Sequence, residues 1–155
     1  MVTVADEAWD SPDGEALRLA QRVELDQRYG ADLEPGTKPT SDDIAVFLVA
    51  RDEDGRAVGC GALRRLSDDV AEVKRLYVDP GHRGTGVATA LLRALEARAA
   101  ERGWTTLRLE TGTEQPEAIR FWQREGYRPI PLFGQYAGST VSLCFERVLP
   151  GESTT

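Results

Sequence analysis

Six consecutive residues, Arg83-Gly84-Thr85-Gly86-Val87-Ala88, separate an apolar run at 73–78 from a long alanine- and leucine-rich stretch. Strand, glycine turn and helix in that order can hold a pyrophosphate. Glycines let the backbone approach closely, several N–H groups converge on one spot, and the helix N-terminus adds partial positive charge. The spacing excludes two familiar phosphate motifs. A dinucleotide-type GxGxxG lacks its third glycine here, and a P-loop lacks its Gly-Lys-Ser/Thr. A plain strand-to-helix turn is the alternative, but one glycine would suffice for that. Two glycines beside Arg83 favour a phosphate cradle.

The elements around this turn decide what it can do. Along 70–79 the apolar residues fall at Ala71 and Val73, then at Leu76 and Val78, so the alternation slips one place around Lys74-Arg75. A period-two strand cannot slip without turning its buried face outward, unless it accommodates an extra residue. The slip predicts a β-bulge, in preference to a strand buried on both faces, and a bulge frees backbone N–H groups just before the glycines. Downstream, Val87, Leu91 and Leu95 recur at four-residue spacing with Ala88, Leu92 and Ala99 alongside, predicting a helix over 84–101 that Gly103 ends. Leu107 and Leu109 alternate in a strand over 105–111. Strand, helix, strand implies a parallel pair joined by a crossover.

Upstream, residues 2–8 read as a first strand, and Ser11-Pro12 as the cap and first position of a helix that Gly30 ends. Residues 31–40 are polar with two prolines and read as a loop. Ser41-Asp42-Asp43 either starts a short helical turn or leads into the next strand. Strands over 44–51 and 56–66 are joined by Asp52-Glu53-Asp54-Gly55, whose Asp-Gly pair favours a tight hairpin. Ser67-Asp68-Asp69 turns the chain again, which makes a three-stranded meander. A helix over 116–125 stops at Gly126, closing strands follow over 127–133 and 140–149, and 150–155 reads as a frayed tail. The chain is thus expected to be α/β, a mixed sheet flanked by helices. Residues 1–150 form a single domain and 151–155 a disordered tail in this reading.

At 155 residues, 41% hydrophobic and 29% charged, the chain can bury a core without staples. No apolar run approaches the roughly 20 residues of a membrane span. The start Met1-Val2-Thr3-Val4-Ala5-Asp6-Glu7 lacks the basic-then-apolar pattern of a signal peptide, so a cytoplasmic protein without membrane attachment is expected. The net charge of −7 argues against nucleic acid as a partner. A negative field steers a cationic partner such as an amine, unless the surplus acid serves solubility alone. Cys60 and Cys144 lie in strand-like runs without CxxC or Cys/His spacing, and His82 is the single histidine. No metal site is expected. A disulfide is not needed in a reducing compartment, so buried free thiols are expected instead.

Two longer patterns now come together. Val73-Lys74-Arg75-Leu76-Tyr77-Val78-Asp79-Pro80 followed by Arg83-x-x-Gly86-x-Ala88 resembles the acetyl-coenzyme A motif of the GNAT superfamily of N-acetyltransferases. That motif is (Gln/Arg)-x-x-Gly-x-(Gly/Ala) after a bulged fourth strand. Gln115-x-x-Ala118 and Trp122-Gln-Arg-Glu-Gly126-Tyr127 are similar to the family's second motif, Asn-x-x-Ala…Tyr-Glu-x-x-Gly-(Phe/Tyr). Order and spacing agree over about residues 44–148, while the first 40 match only by predicted element type. The resemblance implies a mostly antiparallel sheet of six to seven strands, about four helices and a splayed parallel strand pair. It also implies transfer of an acetyl group from acetyl-CoA to an amine of a small molecule or peptide. A non-catalytic acyl-CoA sensor or interaction domain is the alternative reading, and an unrelated nucleotide-phosphate binder a remote third. Many members of the superfamily are dimers, which leaves a homodimer open.

Such a transfer needs a stabilised oxyanion, a deprotonated amine and a departing thiolate. By the family analogy, N–H groups near Leu76, Tyr77 and Val78 face the thioester and pantetheine, and those of Arg83, Gly84, Thr85, Gly86, Val87 and Ala88 hold the pyrophosphate. Arg83 either adds charge or is a solvated loop residue, and His82 reads as a turn residue. An amine with a pKa of about 10 is almost all ammonium at pH 7, so a base is useful. Glu72 and Glu110 are candidates, each otherwise an ordinary strand glutamate paired with Lys74 or Arg108. Where many relatives carry a tyrosine to protonate the sulfur, this chain has Trp122, whose indole is no practical acid. Trp122 then packs on the cofactor or shapes its pocket. Tyr136 could supply the proton from another loop, or the thiolate could leave unaided. Gln115 stands where the family often has asparagine and could bond pantetheine or a water. Residues 28–43 and 131–139 are expected on the acceptor side.

Overall fold

The computed structural model describes residues 2–30, 40 and 42–150. In chain order its elements are β1 (Thr3–Asp6), α1 (Pro12–Tyr29), β2 (Ile44–Arg51), β3 (Ala57–Arg65), β4 (Val70–Val78), α2 (Val87–Glu101), β5 (Thr106–Gly112), α3 (Pro116–Arg124), β6 (Arg128–Ile130) and β7 (Ser142–Val148). Short 3-10 turns lie at Pro80–His82 and Gly134–Tyr136. The strands form one seven-stranded sheet in the order β1-β2-β3-β4-β5-β7-β6. Only β4 and β5 run parallel. Three α-helices occur among the described residues rather than about four. All but residue 40 of the expected loop over 31–40, most of the expected acceptor segment 28–43 and the tail 151–155 lie outside the described residues.

Local chemistry explains most element ends. The Ser11 hydroxyl accepts the Gly14 N–H at 3.0 Å and caps α1, and at the other end the Gly30 N–H returns to the Asp26 carbonyl at 2.7 Å. The helix after the glycine turn begins at Val87, three residues later than expected. Gly84 and Gly86 have φ of 78° and 90°, a left-handed backbone that cannot belong to the helix. The strand expected over 127–133 is only β6 (Arg128–Ile130). It is an edge strand with Pro129 inside and Pro131 just beyond, and prolines cannot donate to a ladder. The other strands begin or end one to three residues inside their expected limits, apart from β2, and β5 lies one residue later.

Two apolar layers sandwich the sheet. On one face Leu91, Leu92 and Leu95 of α2 and Trp122 of α3 pack with Val58, Leu63, Val73, Leu107 and Leu109. On the other, Leu17 of α1 packs with Phe47, Val49, Cys60, Ala62 and Tyr77. The parallel pairing of β4 with β5 covers only Val70↔Thr106, Ala71↔Leu107 and Glu72↔Arg108. Beyond Glu72 the two strands diverge and leave an open wedge.

Candidate active site

The wedge follows from an extra residue in β4. Against β3, Cys60 pairs with Tyr77 but Ala62 pairs with Lys74, so Gly61 alone faces both Arg75 and Leu76. This is the expected bulge. Arg75 takes φ of 58°, the one non-glycine residue with positive φ among those described. Gly61 makes room for it, because a Cβ there would sit 2.9 Å from Leu95 and 3.2 Å from Leu76. After the bulge the Asp79 N–H bonds back to Val58 in β3 at 2.8 Å. Backbone direction alternates along a strand, so Leu76 and Val78 turn their N–H and C=O groups away from β3, toward the wedge. Their carbonyls are already taken: Gln21 Nε2 donates to Leu76 at 3.1 Å and Arg83 Nε to Val78 at 3.0 Å.

The glycine corner adds a second set of donors. The Arg83 N–H bonds the Pro80 carbonyl, and the next backbone N–H bonded outside the ladders is that of Ala90, on Gly86. The intervening N–H groups of residues 84–89 have no such partner among the described residues. A Cβ on Gly84 or Gly86 would meet nothing within 4 Å, so the corner lies open. It opens onto a cleft of about 760 Å³, walled by the β4 edge, the corner, α3 and one stripe of α1 at Gln21, Glu24, Leu25 and Arg28. Leu76, Tyr77, Val78, Arg83, Gly84, Gly86, Val87, Ala88, Gln115 and Trp122 all line it. Thr85 does not; it borders a neighbouring groove beside Asp52 and Asp54, and its hydroxyl bonds the His82 carbonyl. Although the chain is acidic overall, Arg28, Arg83, Arg120 and Arg124 line this cleft against Glu24 and Glu117. Its local field suits an anion.

Two ion pairs tie α1 across the cleft, Arg83 to Glu24 at 2.6 Å and Arg28 to Glu117. The Glu24 hydrogen bond raises the Arg83 pKa further, so this residue is an exposed cation tethered to α1. His82 sits in the turn with Nδ1 3.2 Å from Asp79 and Nε2 3.8 Å from Asp52. Trp122 is buried, edge-on to both Phe121 and Tyr127 at 5.1 Å. Gln115 occupies the cap position of α3 without a side-chain capping bond.

Two proposed proton carriers are found bonded to each other. Glu72 is fully buried; Arg64 bonds one oxygen at 2.7 Å, and the Tyr136 hydroxyl donates to the other at 2.5 Å. Lys74 Nζ donates to the same hydroxyl at 2.9 Å and lies 3.8 Å from Glu72. Burial first, then the Glu72 charge, push the Tyr136 pKa up, making it a poorer acid. Glu72 and Tyr136 thus form the two halves of a buried clasp that holds the Gly134–Tyr136 turn on β4. Glu110 differs. It is half-buried on β5, where that strand has left β4, and accepts from the Ser142 hydroxyl at 2.6 Å, which in turn accepts from Ser139 at 2.8 Å. Arg108, a suggested partner of Glu110, pairs with Glu146 at 2.9 Å. Cys60 and Cys144 are both buried and unpaired. No cluster of three metal-ligating side chains occurs among the described residues, and no described helix is long and apolar enough to cross a membrane.

Sequence reasoning missed the α1 stripe and a second buried network. Glu96 of α2 accepts from Tyr127 at 2.8 Å, Arg147 at 2.9 Å and Arg93 at 2.7 Å, and Arg93 also holds Glu125 at 2.8 Å. This network fixes the end of α3 against α2 and so sets the cleft width. Glu24 and Arg28 fall at helical spacing from Gln21, which was a legible signal. The partners of Glu96 were not.

The model of the Acetyltransferase (GNAT) family matches residues 3–127. The IAA acetyltransferase of Azospirillum brasilense is 35% identical over 139 residues, 84% of this chain and 90% of that protein. A Klebsiella pneumoniae chain, provisionally named an acyl-CoA N-acyltransferase, shares the structure at TM-score 0.84 and 35% identity, over 97% of this chain and 99% of that one. A GNAT family acetyltransferase from Elizabethkingia anophelis with acetyl-CoA bound has the same fold at TM-score 0.70 and 16% identity, over 96% and 98%.

Proposed function

The chain belongs to the acetyltransferase (GNAT) family, and from that premise we propose that it moves an acetyl group from acetyl-CoA to a primary amine of a small molecule or peptide. One observation carries the reading: the bulge and the glycine corner bare two sets of backbone N–H groups along one wall of a 760 Å³ cleft. Two such sets suit a ligand that presents a carbonyl at one end and a diphosphate at the other. The four cleft arginines support the anionic end. Bound acetyl-CoA would supply a thioester-activated acetyl group and that diphosphate.

The chain's own residues then have separate tasks. The Leu76 and Val78 N–H groups are oxyanion donors. Residues 83–88 and the start of α2 hold the diphosphate, with Arg83 adding charge. Trp122 and Tyr77 wall the arm between them. Glu110, backed by Ser142 and Ser139, takes the proton from the amine, directly or through water. No tyrosine protonates the sulfur; a thiol pKa of about 8.5 lets the thiolate leave unaided. The reaction is placed in the cytoplasm, which two free buried thiols support.

Calorimetry with coenzyme A and an acetyl-transfer screen over amines test the reading. Gly86→Glu puts a carboxylate and a strained left-handed residue where the donors converge, and a loss of coenzyme A affinity on the order of a hundredfold is expected. A wild-type protein that binds no coenzyme A removes the assignment. Trp122 favours a second reading, the non-catalytic acyl-CoA sensor. Binding without turnover across the screen, unrestored by Trp122→Tyr, would select it.

A further inference from the structure

A bulge frees carbonyls as well as N–H groups, and a carbonyl beside a developing oxyanion repels it. Three carbonyls at and after the β4 bulge each have a side-chain donor. The Cys60 thiol donates to Arg75 at 3.3 Å, Gln21 Nε2 to Leu76 at 3.1 Å and Arg83 Nε to Val78 at 3.0 Å. These three donors come from β3, α1 and the glycine corner, so no single element's packing explains the set. Gln21 is held there for its donor end alone, since its Oε1 is buried without a hydrogen-bond partner among the described residues.

Resting on the function proposed above, we propose that Cys60, Gln21 and Arg83 are positioning residues that hold these carbonyls and so fix the β4 peptides whose N–H groups face the acetyl group. Cys60 is the decisive member. The peptide whose carbonyl it holds, between Arg75 and Leu76, carries the Leu76 N–H, and Arg75 is the strained residue at φ of 58°. Fixing that carbonyl on the thiol fixes the plane of the peptide and aims the Leu76 N–H into the wedge. Strain of this kind persists only where neighbours over-determine it. Cys60 is completely buried and does not line the cleft, so it acts through the peptide and not on a ligand. Burial pushes its pKa up to about 12, which keeps it an S–H donor at any working pH.

The test compares the intact protein with Cys60→Ala, which removes the donor, and Cys60→Ser, which restores one. Dissociation constants for coenzyme A and acetyl-CoA are measured by calorimetry without acceptor, alongside kcat with an amine found in the screen. Losing an oxyanion donor outright costs about 10²–10³ in kcat, so losing its aim in Cys60→Ala should cost roughly tenfold. Any preference of the wild type for acetyl-CoA over coenzyme A should shrink with it, while coenzyme A itself binds within about twofold of wild type. Cys60→Ser should recover both. Equal weakening of both ligands by Cys60→Ala, an unchanged kcat, or a serine variant no better than alanine would each overturn the proposal. A wild type that fails to bind coenzyme A would instead overturn the functional reading beneath it.

Discussion

Tyr136→Phe separates a structural clasp from a catalytic acid, because the two roles predict opposite patterns. The substitution deletes one oxygen from a fully buried ring. The 2.5 Å bond to the Glu72 carboxylate and the 2.9 Å bond from the Lys74 ammonium go with it. Bonds to charged groups are each worth about 1.5–3 kcal/mol. Lys74 lies only 3.8 Å from Glu72 and can close part of the gap, so the loss should fall at the lower end, near 3 kcal/mol in total. For a chain of this length that corresponds to a melting-point drop of about 6–12 °C. The urea midpoint should fall while the m-value stays constant. Turnover measured well below the new melting point should change by less than about threefold, since an acid already committed to Glu72 contributes no proton. A general acid would instead cost about 10²–10⁴ in kcat at little cost in stability. That second pattern, large rate loss with an unmoved melting point, would refute the assignment of Tyr136 to the clasp.

Glu110→Gln should lower kcat by on the order of a hundredfold and flatten the acidic limb of the pH–rate profile, with coenzyme A affinity unchanged. An unaffected rate would return the proton transfer to water or another residue. Stability should also fall in alkali. Cys60 stays protonated in the fold up to about 12, against 9.0 as its ordinary value. From pH 9 to about 12 the unfolded chain therefore ionises this thiol while the folded one does not, and unfolding is favoured as pH rises. The slope is up to about 1.4 kcal/mol per pH unit. Burial raises Cys144, Tyr127 and Tyr136 in the same direction. Urea midpoints between pH 8 and 11 should decline in the wild type and decline less steeply in Cys60→Ala. Parallel slopes would mean that the thiol is hydrated in the native state.

The bulge, the glycine corner and the helix start were legible because they are contiguous in sequence. The bulge at Lys74-Arg75, the corner at Gly84 and Gly86 and the start of α2 lie within about twenty residues of each other. Period-two slippage and positive-φ glycines are local signals, so the order of residues records them directly. Helix α2 was misjudged by three residues for a related reason: apolar spacing extends back through Gly84, and only the backbone angle excludes it. The missing strand length around β6 was equally local, since Pro129 and Pro131 were visible and their lost N–H groups were not weighed.

The surroundings of the candidate proton carriers were harder to read, and Glu72 shows which part of them was legible. A glutamate on a strand reads the same whether it is a base or a neutralised core residue; its cross-strand neighbour decides. That neighbour could have been found. The turn at Ser67-Asp68-Asp69 fixes the β3–β4 register, Arg65 opposite Ala71 and Arg64 opposite Glu72, before the bulge shifts it. An arginine directly across from a buried carboxylate makes an ion pair, so the Arg64–Glu72 contact could have been read from the register alone. Tyr136 was beyond such reasoning, being 64 residues from Glu72 with no periodicity linking the two. Glu110 follows the same logic in reverse. Its cross-strand neighbour is Cys144, a neutral residue, and it lies two residues beyond the last β4–β5 pair. Register thus places this carboxylate just past the point where the strands part, beside the Ser142 hydroxyl, and that is the position whose proton transfer the Glu110→Gln rate measures.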